Sequence, residues 1–385
     1  MHESPLSRET PVNKPQQSTP DAKLPGRARS ERTRMSEVQP VVVGTSGRKR
    51  KRVTIADIAE RAGVTSGAVS IAVNGKKGVS EATRARILAV AKELNWRPSH
   101  AAQALMGKGA EAVGLVLARP AHVVGEEIFF SRFIAGVQAV LSERGYSLML
   151  QMAADVDAEI ELHAKWIADG RVDGILVLDP RVEDPRVEAL SRLDYPSVVV
   201  GGETDSGAIR SVHVDNGGGM ALILEHLAAL GHRRIGYVTG DQSFRHTQER
   251  IGVFTQFTEE RGIQGAILSG DFDPDLARTA TGRMLAEAPS PSAIVYDSEV
   301  MAIAGVGVLT AVGQKVPRDV SVVSFEDSST CQVLHPTLTA LSRDAVELGR
   351  AAAGEMLELL TGGNVEKAEQ RITVIAREST APPAA

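Results

Sequence analysis

From residue 54 to residue 98 the apolar positions fall into three short helical stripes. Ile55, Ile58, Ala59 and Ala62 follow the i, i+3, i+4, i+7 spacing of one helix face. Thr54, just before them, is an N-cap residue whose hydroxyl can accept an otherwise orphaned backbone N–H. Asp57, at the third helical position, makes a capping-box variant that suits the positive helix end. Gly63 stops this helix, and Thr65 caps a second over Ser66–Val73, followed by an Asn74-Gly75 turn signal. Ser80 caps a third helix with Glu81 in its first turn and Ile87, Val90, Ala91 and Leu94 on one face. Pro98 ends that stripe, because the residue before a proline avoids helical angles. Two helices joined by a tight Gly-containing turn are the geometry of a helix-turn-helix, with Ile55–Ala62 supporting and Ser66–Val73 entering the major groove. On pattern alone an ordinary three-helix bundle is the alternative.

Beyond Gly109 the pattern changes to alternating strands and helices. Strands are predicted over Val113–Leu117, Leu148–Gln151, Gly174–Leu178, Ser197–Gly201, Ile235–Thr239, Ala293–Tyr296 and Ser321–Phe325, with helices such as Ala221–Leu230 and Met301–Val312 between them. Strands this apolar are expected to be buried on both faces, as in a parallel sheet covered by helices. The stretch is about two domains long, which fits two doubly wound α/β lobes with a cleft at the strand ends. The predicted fold is therefore an all-α helix-turn-helix headpiece (53–98), a short linker (99–109) and an α/β two-lobe core (110–385). Residues 1–52 precede them as a tail. Through residue 47 that tail is rich in Pro, Ser, Thr, Gln and charge without periodicity, the composition of a disordered segment. Met35 lies inside it as an alternative start to Met1, and the basic run Arg48–Arg52 closes it.

Charge sharpens this division. The 385 residues carry a formal net charge of -5, but residues 1–108 hold 20 Lys and Arg against 9 Asp and Glu, and the remainder 23 against 39. A basic head suited to a polyanion and an acidic body that is not are the functional reading; a solubility bias of two surfaces is the bland one. Thr54, Thr65, Ser70 and Asn74 are candidate phosphate contacts, through hydroxyls, an amide and helix N-termini; each also has a local capping or turn role. The single cysteine, Cys331, excludes an intrachain disulfide and a multi-Cys metal site. His213, His226 and His232 lack metal spacing, so neither metal nor cofactor is expected. No apolar run is long enough for a membrane span and no secretory signal is visible, which predicts a cytoplasmic, nucleoid-associated protein.

Several motifs resemble the LacI/GalR family of repressors: VTIADIAERAGV, the Ala68-to-Asn74 step, GVSEATRARIL, ELNWRPS and AAQAL in the head, then EHLAALGHRRIGYVTG, PSAIVYDSEVMA, VPRDVSVVSFEDS and HPTLTAL. The resemblance covers the chain after residue 52. It implies a homodimer on pseudo-palindromic operator DNA, a hinge helix that orders on DNA, and a periplasmic-binding-protein-like core sensing a small-molecule effector. It also places base-reading positions at Ser66, Gly67 and Ile71, the last usually an arginine. Here Ser66 offers one hydrogen bond, Gly67 none, and Ile71 at best a thymine-methyl contact, so bidentate base reading is lost. The burden of specificity is then expected on DNA deformability and on the hinge, Ser99–Gly107, where His100, Ala102 and Leu105 are candidate contacts. A helix so short is marginal alone in water. The resemblance gives Leu105 the part of a wedge between base pairs, against a core-packing role.

The same resemblance places effector residues at Phe129 (paired with Phe130), Arg250, Asp297, Ser298 and Glu326, with a surface ion pair as the alternative for Arg250 and Glu326. Departures among these polar positions leave hydroxylated polar ligands as a class and no particular sugar. An enzyme is disfavoured: no G-x-x-x-x-G-K-[ST], H-E-x-x-H or G-x-S-x-G occurs, and Gly305-Val-Gly307 lacks a third glycine. A solute-binding protein would need an export signal and no basic head. A nucleoid-architectural protein or an activator would share the DNA-binding head, the former without needing the sensor. No heptad tail follows Ile375, so no coiled-coil tetramer is expected. The reading is a ligand-responsive DNA-binding regulator, a repressor by family habit.

Overall fold

The computed structural model describes residues 53–96, 109–202, 208–362 and 371–384. The predicted tail, its basic run and the hinge positions His100, Ala102 and Leu105 lie outside the described residues. Two compact units divide at Trp96/Arg97.

The first unit is the three-helix headpiece: α1 (Ile55–Ala62), α2 (Ser66–Val73) and α3 (Glu81–Glu93). Its caps form as the residue types dictate. The Thr54 hydroxyl accepts Asp57 N–H while the Asp57 carboxylate accepts Thr54 N–H at 2.7 Å, a complete capping box. Thr65 and Ser80 cap α2 and α3 by accepting Ala68 N–H and Thr83 N–H. Gly63 closes α1 in the left-handed conformation, where a Cβ would be strained. Ile58, Val69 and Ile87, one from each helix, are fully buried and make the small core. Arg84 ties α3 to the last turn of α2 and the turn after it, donating to Ala72 O at 2.8 Å and Lys76 O at 2.6 Å.

The second unit holds two sheets. The N-terminal lobe has strand order β2-β1-β3-β4-β5, all parallel: β1 (Ala112–Leu117), β2 (Ser147–Met152), β3 (Gly174–Val177), β4 (Ser197–Val200) and β5 (Ile209–Val212). The C-terminal lobe has order β11-β10-β9-β8-β6-β7, parallel except for β11: β6 (Arg234–Thr239), β7 (Gln264–Ser269), β8 (Ala293–Tyr296), β9 (Ser321–Ser324), β10 (Thr339–Ser342) and β11 (Thr373–Ile375). The helices that bear on function are α4 (Ala121–Glu126), α5 (Ile128–Glu143), α6 (Val156–Ala168), α7 (Pro185–Arg192), α8 (Asn216–Ala229), α9 (Arg245–Glu260), α10 (Pro274–Ala286), α11 (Glu299–Ala311), α12 (Ser329–Val333) and α13 (Ala345–Thr361).

All seven predicted strands are present, within one residue at each end. One expectation about them fails: the predicted strand Leu148–Gln151 is not buried on both faces. It is the sheet edge, with Leu150 44% and Met152 38% exposed. The strands missed by pattern are short or edge strands: β5 with its polar Arg210-Ser211, the exposed β7, and β10 and β11 near the C-terminus.

The chain crosses between lobes after β5, again at Arg343-Asp344, and returns to the C-terminal sheet by β11. The second crossing sends α13 back to cover β3, β4 and β5 and to pack along α5. That helix pair is close because glycines face each other's backbone. A Cβ on Gly136 would sit 2.0 Å from Val346 O, and one on Gly349 2.1 Å from Phe133 O.

Candidate functional site

In the headpiece, the start of α2 carries the candidate reading face. Thr65, Ser66 and Gly67 are exposed there, as is Thr54 at the start of α1. The Thr54 hydroxyl is committed in both directions, accepting Asp57 N–H and donating to Asp57 Oδ2 at 2.7 Å. Ser70, Ile71 and Asn74 are half-buried. Asn74 closes α2 by donating its amide to Ser70 O at 2.6 Å. Ile71 lies against Gly78, where an added methyl would meet two of its side-chain carbons at 3.4 Å. Lys76 and Lys77, which the pattern reading passed over, are exposed just past α2. The signal for them was a basic pair directly after the Asn-Gly turn.

The core holds a cleft where strand ends of both lobes face each other, enclosing about 590 Å³ of empty space partly continuous with solvent. It lies at the carboxyl ends of β1, β3, β4, β8, β9 and β10, the crevice position of open α/β sheets. Of the effector positions predicted, Phe129, Arg250, Asp297 and Glu326 line it together. Ser298 does not line it; its hydroxyl caps α11 by accepting Met301 N–H. Arg250 and Glu326, each 2% exposed, are not surface ion pairs.

Arg250 is held from three sides. Nη1 donates to Asp297 Oδ1 at 2.9 Å, Nη2 to Asn216 Oδ1 at 2.9 Å, and the guanidinium lies 3.7 Å from the Phe325 ring centroid. Asp297 in turn accepts Tyr237 O–H and Gly240 N–H, both at 2.7 Å. With both carboxylate oxygens engaged by the protein, Asp297 orients Arg250 rather than reaching outward. A second pair joins Arg343 Nε to Glu326 Oε2 at 2.7 Å, leaving Glu326 Oε1 buried without a hydrogen-bond partner. A third brings Arg119 to 3.2 Å from Asp179, too poorly aligned to hydrogen-bond, with the guanidinium stacked over Phe244 and Phe272.

Two further carboxyls face the same space. Glu127, just before α5, is 7% exposed and its Oε1 has no hydrogen-bond partner. Burial pushes its pKa up to about 8, against the pull of Arg119 and with the help of Asp179, Glu299 and Glu326. Glu299, at the start of α11, accepts Ile128 N–H at 3.3 Å, and burial raises it as well. His246 on α9 is kept neutral by burial, then by Arg250, Arg119 and Arg343. Glu127, Asn216, Arg119 and Arg343 carried no motif; they belong to the site only because separate segments bring them there. Among the described residues no His, Cys, Asp or Glu cluster could hold a metal ion, and no helix is long and apolar enough to cross a membrane.

Two family models match the chain: bacterial regulatory proteins of the lacI family over residues 54–99, and a periplasmic binding protein-like domain over residues 224–380. The HTH-type transcriptional regulator CelR of Thermobifida fusca is 31% identical over 323 residues, covering 83% of this chain and 95% of that relative. A solved CelR–cellobiose complex superposes with a TM-score of 0.63 at 29% identity, covering 85% of this chain and all of the other. The lac repressor dimer bound to operator and an anti-inducer gives a TM-score of 0.71 at 26% identity, covering 86% of this chain and all of that one.

Proposed function

The chain belongs to the LacI family of helix-turn-helix transcriptional regulators, and from that premise we propose that it is a dimeric repressor whose operator affinity is set by a small polar molecule bound in the core cleft. The observation that carries the ligand half is the cleft itself. Phe129, Arg250 and Glu326 converge there from different segments, with buried polar atoms still lacking partners. Such buried donors and acceptors are costly unless something pairs with them. The operator half rests on the basic head and the exposed start of α2. Thr54, Thr65, Ser66, Gly67, Ser70, Ile71 and Asn74 form the headpiece contribution, with His100, Ala102 and Leu105 following it. The regulator works in the cytoplasm on chromosomal, pseudo-palindromic sites.

Because α2 offers few groups for direct base reading, Leu105 carries much of the discrimination. Leu105→Ala is expected to weaken operator binding far more than binding to unrelated DNA, and equal losses would remove the wedge from the account. The full reading is tested by selecting bound genomic fragments with purified protein at physiological salt, then screening metabolites for release. One dominant pseudo-palindromic sequence, released by a polar metabolite, is the expected result. Binding without sequence preference would refute the regulator reading.

A further inference from the structure

The geometry points to a ligand that carries an ammonium group beside its hydroxyls, an amino sugar or a molecule of that chemistry, with the ammonium seated at Glu127 and Glu299. The inference rests on the cleft being the effector site and names the chemistry that site selects.

Each guanidinium in the cleft already has its carboxylate: Arg250 with Asp297, Arg343 with Glu326, Arg119 with Asp179. Each also lies over at least one phenyl ring. Arg250 Nε and Arg119 Nε lack hydrogen-bond partners, but their charge is answered. Among the described residues Glu127 and Glu299 make no salt bridge: Glu299 feels Arg132, which donates to Asp327 O, and Glu127 feels Arg119, already beside Asp179. The two glutamates are adjacent, since the amide next to Glu127 donates to Glu299 Oε1. The unpartnered buried oxygens that face the cleft from Glu127 and Glu326 are acceptors. An anionic ligand would set its charge beside these carboxyls. A neutral polyol could donate to those oxygens but would leave Glu127 to keep its proton. An ammonium supplies up to three donors and, in the same group, a charge that lets Glu127 give up its proton.

The seat is also built to register the cation through protons. Glu127 is faced by Arg119 from the end of β1, Asp179 from the end of β3, Glu299 from α11 and Glu326 from the end of β9. With His246 on α9 neutral, Arg119 is the cation that acts on it, and burial outweighs that pull. Near neutral pH the empty seat therefore holds a proton, which an arriving ammonium displaces.

The test uses the full-length protein and matched probes: glucosamine and its β-1,4 disaccharide against glucose and cellobiose, by calorimetry. At about pH 6.5, where a sugar ammonium is charged and Glu127 is protonated, titrations in two buffers of different ionisation enthalpy count the protons released. The expected result is at least about tenfold tighter binding of the amino sugars, with release of up to about one proton. Glu127→Gln should abolish both the preference and the proton release while melting no lower than the parent, because it removes a buried carboxyl that must take up a proton on folding. Equal or tighter binding of the neutral sugars, no binding of either amino sugar, or a preference that survives in Glu127→Gln overturns the inference. In those cases a neutral metabolite that still releases the operator leaves the regulator reading intact. If no metabolite shifts operator binding, that reading falls instead.

Discussion

The headpiece and the cleft are built by opposite means. In the headpiece the side-chain caps join residues three or four apart: Thr54 with Asp57, Thr65 with Ala68, Ser70 with Asn74, Ser80 with Thr83. In the cleft the decisive partners are far apart in the chain, Arg250 with Asn216 and Asp297, Glu326 with Arg343, Glu299 with the amide of Ile128. The headpiece is thus a local object that presents groups outward. The cleft is a tertiary object whose charges constrain one another, so a single change there spreads further.

The largest expected contrast comes from Arg250→Ala. It strands Asp297 and Asn216 in a buried site and removes the cation over Phe325. Breaking a buried ion pair from one side costs about 3–5 kcal/mol. Calorimetry should show the core transition falling by that amount with the headpiece transition unmoved, and ligand response lost. A loss below about 1 kcal/mol, the scale of an exposed pair, would show that Arg250 is not the organiser the geometry makes it.

Next in size is the pH dependence set by Glu127. Its folded pKa of about 8 lies above its ordinary 4.5, so the folded protein binds the extra proton between those values. The corresponding stability is present below about 4.5 and is lost as pH rises through about 8. Plotted against pH, the melting temperature of the parent minus that of Glu127→Gln should therefore fall across this window. Glu159, raised by burial to about 7, and His163, lowered by burial to about 4, also titrate, but they are common to both proteins and cancel. A flat difference would mean that Glu127 is ionised throughout.

The same local-versus-distant contrast explains what could be read before the structure. Helix caps and strand cores are written in neighbouring residues, which is why α1 to α3 and the apolar strands of both lobes were legible. The edge position of β2 was not: its Leu148-Met149-Leu150 looks like any buried strand, and exposure depends on which strands pair. In the cleft, Arg250 and Glu326 stood in recognisable motifs, whereas Glu127 sits in Gly-Glu-Glu-Ile, a sequence that looks like a solvated turn. Its burial comes from segments on β1, β3 and α11. Ser298 shows the reverse case, a motif position whose hydroxyl is taken up by a helix cap.

A smaller effect is expected on the local side. Thr54→Ala removes the acceptor for Asp57 N–H and the donor to Asp57 Oδ2, and N-cap losses typically cost about 0.5–2 kcal/mol. The headpiece transition should fall by that amount with the core unmoved, the mirror image of Arg250→Ala. If the core transition moved too, the two units would not be energetically separate.

The smallest effect tests whether the headpiece presents charge without needing it for its own structure. Lys76 is held by its backbone: its N–H donates to Ile71 O at 3.1 Å and its carbonyl accepts Arg84 Nη2. Lys76→Ala keeps both bonds and deletes only an exposed cation, so the headpiece melt should stay within about 0.5 kcal/mol, the usual range for surface substitutions. If that ammonium meets a phosphate, the slope of log affinity against log salt should shrink by about one unit, equally on operator and on unrelated DNA. An unchanged slope would place Lys76 off the DNA. A loss confined to the operator would make it a base contact, restoring to the neighbourhood of α2 some of the discrimination assigned above to Leu105.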